Sequence, residues 1–150
     1  MAADPVNYPY VDTSALAKRY LNEANSDKLD AYLCTFPWVA ISTLTQVEIH
    51  CLLARRRRYR ELDQEQESQI RLAVAEDIEL GMLEVLTIED RHMRRALRLL
   101  DSLQSHALRT LDALHLAIAE HSGHRVLATA DIKMADAAEA MGLRIVTFLG

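Results

Sequence analysis

Glycine, proline, cysteine and aromatic side chains are all scarce in this sequence. Its 150 residues include four glycines, three prolines and two cysteines, and 5% of the residues are aromatic. No linker, repeat or low-complexity segment interrupts the chain, so we expect a single domain over residues 1–150. The cysteines, Cys34 and Cys51, lack the spacing of metal ligands, and we interpret both as small core residues of a reduced protein.

Long apolar runs are also absent. No stretch approaches the roughly 20 residues that a membrane-spanning helix needs. Residues 1–5 (Met-Ala-Ala-Asp-Pro) lack the basic and then apolar regions that are typical of a signal peptide, so we expect a cytoplasmic protein. Half of the residues are hydrophobic, and a chain of this length can bury a sizeable core.

The sequence has no excess of basic charge, since its formal net charge is −5 at pH 7. This balance argues against a protein that coats nucleic acid, which is usually basic. A bound cation would neutralise part of the acidic charge, however. The arginines are also clustered: one group comprises Arg55, Arg56, Arg57, Arg58 and Arg60, and the other comprises Arg91, Arg94, Arg95 and Arg98.

Short apolar runs alternate with helical patterns along the whole chain. Strands are predicted at residues 8–11, 38–41, 83–86, 125–128 and 144–147. Helices are predicted at residues 14–20, 26–35, 43–57, 64–80, 89–103, 111–122 and 132–141. This alternation predicts a three-layer α/β/α fold, in which helices flank a central parallel sheet of four to five strands. Ligands of such open sheets bind beyond the carboxyl ends of the strands.

Four acidic residues stand where a divalent-metal site would need them. Asp12 and Asp131 each follow an apolar run at a predicted switch from strand to helix, whereas Glu48 and Asp112 fall in the first turns of predicted helices. Hard divalent cations such as Mg²⁺ prefer oxygen ligands, carboxylates among them. The four residues are therefore our candidate metal ligands and catalytic residues.

Each of these acids also has a simpler structural interpretation. Asp12 and Asp131 are favourable N-cap residues, and Asp112 suits the positive end of a helix dipole with or without metal. Glu48 borders an apolar stripe, so we expect a partly buried carboxylate that a cation, a proton or an ion pair would satisfy. The stripe has helical spacing and comprises Leu44, Val47, Cys51 and Ala54.

Hydroxyl side chains accompany two of the acids. Thr13 and Ser14 follow Asp12 directly, and either can hydrogen-bond a carboxylate or a phosphate while also capping a helix. Thr129 precedes Asp131 by two residues and therefore shares its face of an extended strand. We expect these three hydroxyls to position the acids or a substrate phosphate.

Two histidines and a fifth acid lie close to the four candidates in sequence. His115 is interpreted as a helix-packing histidine, with a contact to the site as the alternative, and His50 as a solvated residue. Asp136 is placed on the surface, with a peripheral metal or water contact left open. The core face of the helix over residues 111–122 is predicted to comprise Leu111, Leu114, Ala117 and Ile118.

The segments around the four acids resemble those of PIN-domain ribonucleases, and most of all the VapC toxins of toxin–antitoxin pairs. Singly each segment is weak, but the four in this order are specific, and the resemblance extends from Tyr10 to the closing residues 142–146. The segments are Val11-Asp12-Thr13-Ser14-Ala15-Leu16, Glu48, Leu108-Arg109-Thr110-Leu111-Asp112-Ala113-Leu114-His115-Leu116-Ala117 and Ala128-Thr129-Ala130-Asp131.

The resemblance implies a Mg²⁺- or Mn²⁺-dependent endoribonuclease that acts on a tRNA or a ribosomal RNA loop. It also implies a homodimer and a cognate VapB-like antitoxin whose C-terminal segment covers the site. Metal-activated water would attack the phosphodiester and leave a 5′-phosphate and a 3′-hydroxyl, without a histidine base. Family members commonly carry a further Asp or Asn close to the last ligand, whereas residues 132–135 precede Asp136 here, so either one ion or two is implied. The implied metal ligands are Asp12, Glu48, Asp112 and Asp131.

Arg55 is the candidate RNA-binding residue. It lies seven residues after Glu48, which is two helical turns on and nearly the same face, so it can reach a phosphate beside the cut. Arg56 to Arg58 fan around the helix instead. For each of these arginines an equal alternative is a solvated position at the helix end, where its charge suits the helix dipole. In the second arginine cluster no single residue is favoured as an RNA-binding residue.

Three other functions fit part of the pattern. A phosphoacceptor receiver domain would need an acidic pair after the first strand and a lysine after a late strand, whereas Asp12 is a single acid and Glu48 lies in a helix. A PIN-like scaffold that binds partners without catalysis would normally lack one or more of the four acids. A DNA-directed nuclease of the same fold would share all of these features.

Overall fold

A computed structural model describes residues 7–150. Within them the strands are β1 (Pro9–Val11), β2 (Val39–Ser42), β3 (Leu83–Leu86), β4 (Val126–Thr129) and β5 (Arg144–Thr147). The helices are α1 (Thr13–Tyr20), α2 (Ser26–Leu33), α3 (Thr43–Arg58), α4 (Gln64–Glu79), α5 (Asp90–Ser102), α6 (Thr110–His121) and α7 (Ile132–Ala140). None of these helices is long and apolar enough to cross a membrane. The expectation about a signal peptide in residues 1–5 lies outside the described residues.

The strands form one parallel sheet in the order β3-β2-β1-β4-β5. Tyr10 on β1 pairs with Ala40 on β2 and with Leu127 on β4. The strand order reverses between β1 and β4, and ligands of open α/β sheets bind in the crevice at such a reversal. The receiver order is 2-1-3-4-5, so this topology excludes the receiver alternative. The predicted α/β/α fold with four to five parallel strands is confirmed.

Neighbouring residues of the central strands point into two separate buried layers. Tyr10 and Leu127 pack with α5, α6 and α7, whereas Val11 and Ala128 pack with the layer formed by α1 to α4. All four side chains are fully buried. Because helices cover both faces of the sheet, its central strands are continuous apolar runs rather than alternating ones. This burial fixes the carboxyl ends of β1 and β4 side by side.

Side-chain caps determine where the helices at this edge of the sheet begin. Asp12 caps α1 by accepting a hydrogen bond from the Ala15 amide at 3.0 Å. Asp131 caps α7 by accepting one from the Lys133 amide at 2.9 Å. The N-cap interpretation of both acids is therefore confirmed, and the predicted bounds of every strand and helix lie within two residues of the observed ones.

The buried face of α3 differs from the predicted one. Val47 is 68% exposed and Cys51 is exposed, whereas Ile49 and Leu53 are buried. Two apolar stripes with helical spacing coexist on this helix, and the predicted stripe is exposed at Val47 and Cys51 and half-buried at Ala54. The prediction that Cys51 packs in the core through this stripe was therefore wrong.

Two further core predictions were also wrong. Cys34 is an exposed free thiol rather than a core residue, because it follows the last turn of α2. Leu111 is 42% exposed, because it lies in the first turn of α6 beyond the end of the sheet. The other predicted core residues of α6 are buried, namely Leu114, Ala117 and Ile118.

Candidate active site

All four candidate acids line one cleft at the carboxyl edge of the sheet. Asp12 and Asp131 follow β1 and β4, which are adjacent strands, while Glu48 lies on α3 and Asp112 lies in the first turn of α6. The cleft has a volume of about 90 Å³. We call it the acidic cleft, and its main lining residues are Asp12, Glu48, Arg109, Asp112, His115 and Asp131.

Asp12 lies at the floor of the acidic cleft and is 2% exposed. Its carboxylate accepts hydrogen bonds from Ser14 Oγ at 2.7 Å, from the Ala15 amide at 3.0 Å and from Thr129 Oγ1. Burial raises the pKa of Asp12, and these three donors offset that rise only in part. Burial, rather than repulsion between like charges, is therefore the main cause of the raised pKa of Asp12.

Two side chains from other elements hold Glu48. Its Oε1 accepts a hydrogen bond from Thr13 Oγ1 at 2.8 Å and another from Nε2 of His115. Partial burial raises the pKa of Glu48, but the bond and charge of His115, together with Thr13, bring it below its usual value. Glu48 is thus partly buried, as expected, and Thr13 and His115 are the partners of its carboxylate.

His115 connects Glu48 to a buried chain of hydrogen bonds. Its Nδ1 lies 2.7 Å from the Tyr10 hydroxyl, which lies 2.8 Å from Ser42 Oγ. Tyr10 and Ser42 are fully buried, and His115 is 2% exposed. Because a carboxylate can only accept a hydrogen bond, Nε2 carries the hydrogen that points at Glu48. The preferred interpretation of His115 as a helix-packing residue was therefore incomplete, and the alternative contact with the site is confirmed.

Asp112 and Asp131 share an arginine partner. Arg109 Nε lies 3.4 Å from Asp112 Oδ2, and Arg109 Nη2 lies 3.7 Å from Asp131 Oδ2. The backbone amide of Arg109, the N-cap residue of α6, also donates to Asp112 Oδ2 at 3.2 Å. The Arg109 side chain is 78% exposed, so its pairs with the two acids are weak.

The donor set of the acidic cleft suits a hard divalent cation, because four carboxylates supply only oxygen ligands. Within residues 7–150, however, no three acidic, histidine or cysteine side chains converge closely enough to hold one ion. Each carboxylate is instead turned toward local donors. Asp112 and Asp131 are bonded to backbone amides and an exposed arginine, so theirs are the side chains best able to reorient toward a cation.

A larger groove of about 550 Å³ adjoins the acidic cleft and shares four lining residues with it, including Glu48 and Arg109. Arg55 lines this groove with an exposed side chain, in the direction predicted from its position two turns after Glu48. Cys51 and Leu111, whose exposure was not predicted, line it too. We call it the basic groove because its cationic lining residues outnumber its acidic ones, Glu23 and Glu48; the cations are Lys18, Arg55, Arg56 and Arg109. Lys18 and Arg56 are paired with Glu23.

Other arginines of the two sequence clusters pair with acids outside the acidic cleft. Arg57 Nη1 lies 2.9 Å from Glu67 Oε2, and Arg95 Nε lies 2.5 Å from Glu120 Oε1. These pairs join α3 to α4 and α5 to α6. The second cluster therefore includes a structural ion pair. Arg55 and Arg56 both line the groove, but Arg56 is paired with Glu23 and Glu61.

The sequence prediction assigned no role to Arg109 or Tyr10. Arg109 precedes Asp112 by three residues at a helix start, and this spacing is the local signal that could have paired them. The partners of the Tyr10 hydroxyl are 32 and 105 residues away, so no local pattern could have indicated them. His50 and Asp136 are exposed, as predicted.

Comparisons with known proteins agree with this geometry. A protein-family model described as PIN domain matches residues 10–140. Ribonuclease VapC46 of Mycobacterium tuberculosis (strain ATCC 25618 / H37Rv) is 33% identical over 139 residues, which cover 91% of this chain and 95% of that protein.

Solved structures share the fold at lower identity. The VapC20 toxin of Mycobacterium tuberculosis, described as cleaving the sarcin–ricin loop, has a TM-score of 0.69 at 19% identity and covers 89% of this chain and 95% of its own. DNA-bound VapBC of Salmonella typhimurium has a TM-score of 0.63 at 18% identity. The match covers 95% of this chain and 98% of that one. At these identities the structural likeness establishes the fold alone.

Proposed function

This chain belongs to the PIN-domain family as a VapC-type member, and from that premise we propose that it is a divalent-metal-dependent endoribonuclease. The observation that carries the proposal is the meeting of four carboxylates, from four separate elements, in one cleft at the reversal of the strand order. Such a cleft is where open α/β sheets bind their ligands. Carboxylates are also the usual protein ligands of Mg²⁺ that acts on phosphates.

Asp12, Glu48, Asp112 and Asp131 would hold Mg²⁺ or Mn²⁺. The ion supplies Lewis acidity, which lowers the pKa of water and polarises a phosphodiester. The remaining roles belong to the chain itself. Ser14 and Thr129 fix the Asp12 carboxylate, and Thr13 and His115 fix that of Glu48. Asp12 and Glu48 are thereby held in place before substrate arrives, which reduces the reorganisation needed during catalysis.

The basic groove supports RNA as the substrate. It leads away from the acidic cleft and carries Arg55 beside exposed apolar surface at Leu111. Cationic side chains bind phosphates, and apolar side chains contact the unstacked bases of single-stranded RNA. The substrate we propose is therefore an exposed loop, such as that of a tRNA or a ribosomal RNA.

We further propose that the enzyme is a cytoplasmic homodimer that a cognate VapB-like antitoxin inhibits. The antitoxin is supported by similarity: the relative from Mycobacterium tuberculosis is a ribonuclease VapC, and the Salmonella typhimurium structure is a VapBC complex. An antitoxin segment that covered the acidic cleft would exclude RNA from the same carboxylates.

Cleavage of total cellular RNA by the purified protein tests the proposal. The assay uses Mg²⁺ or Mn²⁺, an EDTA control and the Asp12→Asn variant, with Asp136→Asn as a matched control because Asp136 is exposed outside the cleft. We expect discrete cuts with the wild type and Asp136→Asn, and none with EDTA or Asp12→Asn. Equal cutting by Asp12→Asn and the wild type would refute the assigned site. No cutting of RNA would favour a scaffold, and cutting of DNA alone would indicate a DNA nuclease.

A further inference from the structure

Arg109 stands between the two cavities, because it lines both the acidic cleft and the basic groove. Among the described residues that line the acidic cleft, it is the one lysine or arginine facing four carboxylates. Its guanidinium approaches Asp112 and Asp131, and its charge also lowers the pKa of Glu48. The positive charge of one side chain therefore acts on three of the four acids.

The Arg109 side chain can leave these acids without disturbing the helix. The backbone amide holds the N-cap position by its bond to Asp112, and that bond does not depend on the side chain. The guanidinium contacts, at 3.4 and 3.7 Å, are longer than the about 2.7–2.9 Å of strong charge-assisted hydrogen bonds. With 78% of the side chain exposed, an outward rotation breaks only weak contacts.

A divalent cation would make that rotation favourable. The acidic cleft is small, at about 90 Å³, so an ion bound to Asp112 and Asp131 would lie close to the guanidinium and repel it. The basic groove offers the side chain a second position, on the side that already carries Arg55 and Arg56. A phosphate that binds there would attract the displaced guanidinium and could accept two hydrogen bonds from it.

We propose that Arg109 is a two-position residue. In the metal-free protein it pairs with Asp112 and Asp131 and competes with the divalent cation for them. After the cation binds, it turns into the basic groove and binds an RNA phosphate beside the cut. The second step rests on the proposed ribonuclease function, whereas the first step requires only metal binding.

Calorimetric titration of the metal-free protein with Mn²⁺ tests the first step. Arg109→Ala removes the competitor, Arg109→Lys keeps its charge, and Arg109→Gln keeps much of its bulk should the alanine variant fold poorly. Arg98→Ala is the matched control, since Arg98 is exposed on α5 and lines neither cavity. We expect Arg109→Ala and Arg109→Gln to bind Mn²⁺ roughly two- to fivefold more tightly than Arg98→Ala, the range that an exposed ion pair allows. Affinities equal to or weaker than that of Arg98→Ala would overturn the competition.

The KM for RNA at saturating Mn²⁺ tests the second step in the same variants. We expect Arg109→Ala to raise KM roughly fivefold, as the loss of one phosphate contact would, and Arg98→Ala to leave it unchanged. An unchanged KM in Arg109→Ala would overturn the phosphate contact. If the wild type cuts no RNA, the proposed function fails, while the Mn²⁺ titration still decides whether Arg109 competes with the cation.

Discussion

His115 Nε2 donates a hydrogen bond to Glu48 Oε1 and so ties α6 to α3 across the carboxyl edge of the sheet. The same imidazole bonds through Nδ1 to the buried Tyr10 hydroxyl on β1. Glu48 is therefore positioned from the centre of the sheet, although it belongs to a helix that packs on the opposite layer from α6. Contacts of this kind behind a metal ligand commonly set its orientation and basicity.

Substitution of His115 should reduce metal binding and cleavage more than it reduces the stability of the fold. We expect His115→Ala to lower Mn²⁺ affinity or cleavage by about 10–100-fold, the usual effect of losing such a partner. Tyr10→Phe keeps the imidazole but removes its support, so a smaller loss is expected. Mn²⁺ titration and RNA cleavage give the measurements, and urea unfolding shows how much of the loss reflects stability.

His50→Ala is the control for this prediction, because His50 is an exposed histidine on the same helix as Glu48. It should behave as the wild type in every assay. A folded His115→Ala protein with wild-type Mn²⁺ affinity and cleavage would contradict a positioning role for His115.

Replacement of Asp12 by asparagine should stabilise the metal-free protein at neutral pH. Burial raises the pKa of Asp12 in the folded state, so the folded protein binds its proton more readily than the unfolded chain does. Stability due to this group is therefore present below the unfolded pKa and is lost as pH rises through the folded pKa. Asp12→Asn removes that loss of stability. Each 1 kcal/mol gained in the free energy of unfolding should raise the melting temperature by about 2–4 °C for a chain of this size.

Thermal melts in EDTA across a pH series check this expectation. The advantage of Asp12→Asn should be largest at neutral pH and should shrink as the pH falls and the wild-type Asp12 becomes protonated. The exposed Asp136→Asn should show no such trend. A less stable Asp12→Asn protein at pH 7 would mean that its hydrogen bonds to Ser14 and Thr129 outweigh the burial of charge.

Arg55 should contribute to RNA affinity rather than to the chemical step. We expect Arg55→Ala to raise KM with little change in kcat and to reduce the salt dependence of RNA binding by about one unit of slope, as the loss of one phosphate contact does. Arg58→Ala is the matched control, because Arg58 is exposed on the same helix but does not line the basic groove. Equal effects of the two variants would indicate general electrostatic attraction instead of a specific contact.

The exposed thiols allow a test of the RNA path by chemical labelling. Cys51 lines the basic groove, whereas Cys34 lies at the end of α2 and does not. A bulky maleimide on Cys51 of a Cys34→Ser protein should block RNA cleavage by filling the groove. The same reagent on Cys34 of a Cys51→Ser protein should leave cleavage intact, and inhibition in both proteins would argue against the groove as the path.

Local patterns were sufficient to predict the strands, the helices and the positions of the four acids. Strand-to-helix switches put Asp12 and Asp131 at strand ends, and parallel strands place such ends along one edge of a sheet. The buried face of α3 could not be chosen in this way, because the stripe through Val47 and the stripe through Ile49 are both apolar. Only packing against α1 and the sheet decides between them.

The site contacts that the sequence did not predict join segments that are far apart in the chain. The partner of His115 is 67 residues away, and helical spacing reports only which residues share a face of the same helix. Arg109 was overlooked for a different reason: it is exposed, and exposed arginines at helix starts are common. Its spacing to Asp112 is a local signal, but its approach to Asp131 follows only from the fold.

The bond between Thr129 and Asp12 joins residues that are 117 positions apart in the chain, and β1 finds its parallel neighbour β4 only across that separation. A ribosome that adds about 5–20 residues per second needs roughly 6–23 s to pass from one to the other. Throughout that interval the nascent chain carries Asp12 but lacks β4 and Asp131, which complete the cleft. The cleft that we propose as the nuclease site therefore cannot form until most of the chain has been translated.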